Sequence, residues 1–208
     1  MDCKIKSIIF KMATILVVGM LFSQNGFADF LGSPHDFTGN PWLVPTGPCV
    51  ACHTPHFSLT DGPLWNHMTT TETFTLYSST SLNTTVSQPD GPSKLCLSCH
   101  DGTIAVTAYG GHPLGENEYY VLNPIGTNLE DDHPISFVYD STLAGQDGEL
   151  HDPSSSPSGL GGTIQEDLLV NDSMECSTCH DVHNTLSVGN DHLLKIAASD
   201  LCLTCHDK

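Results

Sequence analysis

The chain has 208 residues, with 24 Asp and Glu against six Lys and Arg, a formal net charge of −18. A field of that sign argues against nucleic acid as a partner and favours cationic proteins, cationic surfaces or metal ions, besides keeping the chain soluble. Gly, Pro, Ser, Thr, Asn and Asp are abundant and no long segment has helical hydrophobic periodicity, so the polypeptide by itself would build a poor core.

Lys4, Lys6 and Lys11 precede the apolar run Met12 to Phe22, which is followed by Gly26-Phe27-Ala28. These are the three parts of a secretory signal, so residues 1–28 are expected to be cleaved. The run is too short to span a bilayer comfortably, which leaves no transmembrane anchor after processing. The mature chain, 29–208, keeps Lys94, Lys195 and Lys208 against 23 carboxylates, a formal charge of −20. Cys3 leaves with the signal, and the eight remaining cysteines all fall in one kind of motif.

That motif is C-x-x-C-H. It occurs as Cys49-Val-Ala-Cys52-His53, Cys96-Leu-Ser-Cys99-His100, Cys176-Ser-Thr-Cys179-His180 and Cys202-Leu-Thr-Cys205-His206. It is the attachment signal for c-type haem: two thiols bond to the macrocycle and the adjacent imidazole becomes an axial ligand of the iron. On one helical turn the three side chains can meet a single porphyrin. Paired C-x-x-C units also serve structural zinc, but with His at 12 of 208 positions four chance histidines in a row are on the order of one in a hundred thousand. Four covalent haem c groups are expected, attached outside the cytoplasm, with His53, His100, His180 and His206 as proximal ligands.

Ahead of the first motif stands His35-Asp-Phe37, and the motif itself continues through Thr54-Pro55-His56. Between motifs one and two, Glu72 to Tyr77 alternates in the strand period and predicts one short strand or hairpin arm. Pro89-Asp-Gly-Pro92 is a turn that leads into a one-turn helix closed by Asp101-Gly102. Ile104 to Tyr109 is apolar and expected to pack on haem. The acidic segment from Asp140 to Asp152 has no EF-hand pattern and reads as a solvated loop, and Ser154 to Gly162 as a low-complexity connector.

An internal duplication emerges, with halves of about 29–120 and 121–208. Each half carries a leading histidine, a C-x-x-C-H-x-x-H unit and a Leu-Cys-Leu-x-Cys-His-Asp unit: His35, Cys49 to His56 and Leu95 to Asp101, then His133, Cys176 to His183 and Leu201 to Asp207. His35, His56, His133 and His183 are therefore the distal candidates, and bis-histidine ligation of all four irons would use them up. His67 and His192 occupy similar places between the paired motifs and remain rivals. Met68 and Met174 could serve at most two haems, and His112 and His151 read as surface residues. The fold expected is mostly coil, with short helices at the motifs and few strands, organised around a row of haems.

Cys49-x-x-Cys-His-Thr-Pro-His56, Pro63-Leu-Trp-Asn66, Leu95-Cys-Leu-Ser-Cys-His-Asp-Gly102, His133-Pro-Ile-Ser-Phe137 and Leu201-Cys-Leu-Thr-Cys-His-Asp-Lys208 together resemble the multihaem cytochromes with doubled C-x-x-C-H motifs. Within these, the layout is similar to the tetrahaem outer-surface cytochromes that polymerise into extracellular filaments. The resemblance implies closely spaced haems carrying electrons along each protomer and on to the next, a homopolymer with haem-to-haem contact, and other redox proteins or extracellular acceptors as partners. It also implies that a distal histidine can cross a subunit boundary, for which His35 is the candidate. A periplasmic shuttle, a subunit of another redox complex and a multihaem reductase are the competing readings. A reductase needs an open iron with acid or base groups beside it, and no C-x-x-C-K variant marks one, so no catalytic residue is assigned.

Overall fold

A computed structural model describes residues 31–43, 47–110, 118–183, 185–186 and 193–207. The expected signal segment, His112 and His192 lie outside the described residues. Most of the described chain is turn and coil, as the composition predicts. The helices are α1 (Gly91–His100), α2 (Ser141–Asp147), α3 (Ile164–Asp167), α4 (Cys176–Cys179) and α5 (Ala198–Cys205). The strands are β1 (Phe137–Val138) and β2 (Ser173–Met174), which pair antiparallel with Phe137 opposite Met174.

Each helix has a local reason to start and stop. Extended Asp90 and then Pro92 in the first turn open α1, because proline lacks the N–H that a first turn leaves unused. It closes where Asp101 donates back to Leu97 and Gly102 turns at φ +77°. A Cβ on Gly102 would stand 2.6 Å from the Pro124 ring, so glycine is required there twice over. The Asp140 carboxylate caps α2 by accepting from the Leu143 N–H at 2.8 Å, and Gly148 ends it in the left-handed region. Thr163 and Glu166 cap each other reciprocally at α3.

Four sequence expectations change here, the first being the one-turn helix at motif two, which is the ten-residue α1. Asp140 to Asp152 is not a plain solvated loop, since it contains α2. Ser154 to Gly162 is a folded turn, in which buried Ser158 donates to the Asp167 carboxylate and Pro157 bridges Thr163. Glu72 to Tyr77 forms no strand: Thr75 makes a single parallel bridge to Asn128, while the Gln88 side-chain amide pairs with both the N–H and the C=O of Phe74 at 2.9 Å. A side chain thus satisfies the backbone that a partner strand would have satisfied.

The buried apolar residues form small separate clusters. Tyr139, Leu143, Ala144, Ile164, Leu168 and Met174 make one, Trp42, Leu43, Ala51, Val106 and Tyr109 another, and Phe74, Leu97 and Leu129 a third. Ala105 to Tyr109 are buried, and Val106 and Tyr109 cluster with Trp42 and Ala51. The two sequence halves interlock. Thr75 of the first half exchanges backbone hydrogen bonds with Thr127 and Leu129, Ser87 donates to Ser136, and Asn83 donates to the Asp147 carboxylate at 2.9 Å.

Candidate haem-binding site

The C-x-x-C-H motifs share one local shape. In motifs one, three and four the histidine N–H donates to the carbonyl of the first cysteine, at 2.8, 3.1 and 2.9 Å for His53, His180 and His206. This single helical turn brings both thiols and the imidazole to one side. Motif two ends the longer helix α1, whereas motif one makes its turn without a helix.

The four motifs follow one another in space as they do in sequence. Cys52 lies within electrostatic reach of Cys99; Cys96 and Cys176 are in direct side-chain contact; Cys179 neighbours Cys202 and Cys205. The contact in the middle of the row is where α1 packs on α4. Ser93 clasps it, accepting from the Cys176 N–H at 3.0 Å and donating to the buried Glu175 carboxylate. Of the eight motif thiols only Cys49, in the first motif, and Cys202, in the fourth, are exposed.

The histidines pair across this row. His35 and His100 have ring centroids 5.8 Å apart, His133 and His206 6.4 Å, and His53 and His183 6.2 Å. A metal held by one imidazole on each side sets the centroids about 6.3 Å apart, given metal–nitrogen bonds of about 2 Å. His180 lies within electrostatic reach of His35 and His100. His35 is held neutral, its pKa lowered to about 4 by burial and then by His100, and its Nδ1 is buried with no hydrogen-bond partner. His35, the candidate for a ligand that crosses a subunit boundary, lies against His100 of its own chain.

Burial pushes the Cys52 and Cys205 thiols up to about 11 and Cys99 to about 12. Zinc would require these sulfurs as thiolates, whereas a haem thioether is neutral and loses nothing by burial. Among the described residues, no group of three or more His, Cys, Asp and Glu side chains is arranged to hold a metal ion directly. The residues present therefore fit covalent haem better than zinc. A cavity of about 240 Å³ lies beside motif four, lined by Cys205, His206, His133, Tyr139 and, from the first half, Tyr77 and Asn83. Met174 also lines it.

His56 and His183, matched in sequence, differ in surroundings. His183 meets His53 of the other half, while His56 is exposed beside the fully exposed Phe57 and has no ring contact among the described residues. His67, a rival for a distal role, is buried with Nδ1 2.7 Å from the Met68 carbonyl and Nε2 2.9 Å from that of Ala105. Its Nε2 also lies 3.5 Å from the Cys99 sulfur of motif two. His151 is half-buried, using its backbone to bond Cys205 and Tyr139. Met68 is half-exposed.

A second-tier duplication appears that spacing alone does not reveal. His53 bridges Trp65 and His180 bridges Leu194. The next residue in each case, Asn66 or Lys195, donates its N–H to the second cysteine of the motif, at 2.9 Å to Cys52 and 2.8 Å to Cys179. Leu64 and Leu193 both stand at φ +54° and accept from Thr54 and Asp181. This register sets His67 against Ile196 rather than His192, so the two rival histidines are not counterparts.

Residues 170–208, the last pair of motifs, match the family described as Doubled CXXCH motif. No curated protein matches the chain. The match supports covalent haem c binding at these motifs, as in multihaem c-type cytochromes. Proteins of that kind are typically periplasmic or extracellular, and no helix among the described residues is long and apolar enough to cross a membrane.

Proposed function

We propose that this chain is a multihaem c-type cytochrome that holds four haems in one row and works as an electron conduit, assembled outside the cell as a filament. Haem c bound at these motifs supplies a one-electron iron couple. The observation that carries the reading is the sequential row of thiols, Cys49·Cys52, Cys99·Cys96, Cys176·Cys179 and Cys202·Cys205, with histidines paired across it. His183 serves the iron of His53, His35 that of His100, and His133 that of His206. Two imidazoles at each of these three irons would leave no position for a substrate there, which favours a conduit over a reductase. The exposure of Cys49 in the first motif and Cys202 in the fourth supports contact of both terminal motifs with further copies. His56, exposed near one end, is the distal candidate able to reach an iron of such a copy.

Intact mass of the exported protein is expected to show four added haems and loss of residues 1–28. Fewer than four, or zinc in their place, would overturn the tetrahaem reading. Electron microscopy of material sheared from cells tests the filament, and unpolymerised particles under all conditions would leave the periplasmic shuttle or redox-complex subunit. Ready carbon monoxide binding by the reduced protein would favour the reductase.

A further inference from the structure

The two positions that share a backbone place beside motifs one and three carry different charges. Asn66 is neutral, and its amide is spent on backbone carbonyls, donating to Val50 at 2.6 Å and to Gly110 at 3.4 Å. Lys195 is half-buried, donates through Nζ to the Asp167 carbonyl at 3.2 Å, and lies within electrostatic reach of the Cys179 sulfur. Lys94 and Lys195 are the two cationic lysines among the described residues of a chain that is otherwise strongly acidic. One of two equivalent backbone sites thus carries a positive charge and the other does not.

We propose that Lys195 is a tuning residue that raises the reduction potential of the haem attached at Cys176 and Cys179, an effect that Asn66 withholds from the haem at Cys49 and Cys52. The inference rests on the tetrahaem reading above. Reduction adds one negative charge to the iron centre, and a nearby ammonium favours that state by Coulomb's law. Half-burial weakens screening by water and salt, so the charge acts over a longer range than it would on the surface. Two carboxylates oppose it. Asp167 is turned to the Ser158 hydroxyl and the Gly162 N–H, and Asp181 to the N–H groups of His183, Thr185 and Leu186, and both remain negative. They reduce the effect, while the backbone N–H of Lys195 holds the residue to the Cys179 carbonyl and its ammonium is fixed on the Asp167 carbonyl.

The test is spectropotentiometric titration of the full haem-loaded protein with Lys195→Asn, Lys195→Arg and Asn66→Lys. Lys195→Asn is expected to lower one midpoint by roughly tenfold in equilibrium constant, about 59 mV for a one-electron couple. Lys195→Arg is expected to restore it, and Asn66→Lys to raise a different midpoint. Low-spin absorbance bands show whether the ligands are intact. Unmoved midpoints in Lys195→Asn, or an equal shift of every haem, would overturn the proposal. Failure to find haem on the peptide containing Cys176 and Cys179 would instead defeat the tetrahaem reading, so the two failures are distinct.

Discussion

In both halves a leading histidine meets the histidine of the second motif, at 5.8 Å for His35 and His100 and 6.4 Å for His133 and His206, with similar ring angles of 65° and 75°. In both, the segment after the first motif returns to it through one bridge, one left-handed leucine and one backbone bond to a cysteine. The material between these fixed points has diverged. The second half fills it with capped α2, α3 and a six-residue cluster around Tyr139, the first with coil packed on Trp42. Geometry at the motifs is constrained by the group they grip, whereas the filler needs only to be apolar and of the right volume.

Breaking the row at its middle has the largest expected effect. Replacing Cys176 and Cys179 together by Ala is expected to lower the haem mass by one group and to stop electron exchange between the outer haems, read by intact mass and stopped-flow reduction. Next come the matched ligands. His35→Ala and His133→Ala are each expected to convert one haem from low-spin to high-spin with new carbon monoxide binding, the first at motif two and the second at motif four. Equal spectra for variant and wild type would break the equivalence of the halves.

Smaller effects probe the filler. Leu168→Ala, at a fully buried site in the Tyr139 cluster, is expected to cost about 2–5 kcal/mol in thermal unfolding. Asp140→Ala removes the α2 cap for about 1 kcal/mol, with no counterpart in the first half. The smallest concerns Glu175, whose carboxyl burial raises against the opposing Ser93 and Ser136 hydroxyls. A raised folded-state pKa means stability is full at low pH and declines as pH climbs from the unfolded value through the folded one. Glu175→Gln is expected to flatten that decline in pH-dependent unfolding.

Much of this was legible beforehand. Four C-x-x-C-H units, their doubled spacing and the paired leading histidines stand in the sequence because covalent attachment demands specific side chains at fixed intervals. The coil-rich fold followed from composition. Other features were hidden for identifiable reasons. The α2 helix lies in a run of acids, yet Asp140 before it and Gly148 after it are cap signals that a charge-based reading overlooks. The match of Asn66 with Lys195 is concealed because the return to the motif takes 12 residues from His53 to Trp65 but 14 from His180 to Leu194. Phe74 lost its expected strand to Gln88, a choice that depends on a residue 14 positions away. The pairing of His53 with His183 across the halves is a tertiary matter that no local pattern encodes.

Tyr77 and Asn83 come from the first repeat, yet they wall the cavity that belongs to the last motif. The second repeat therefore cannot be excised or expressed alone without opening that cavity to solvent.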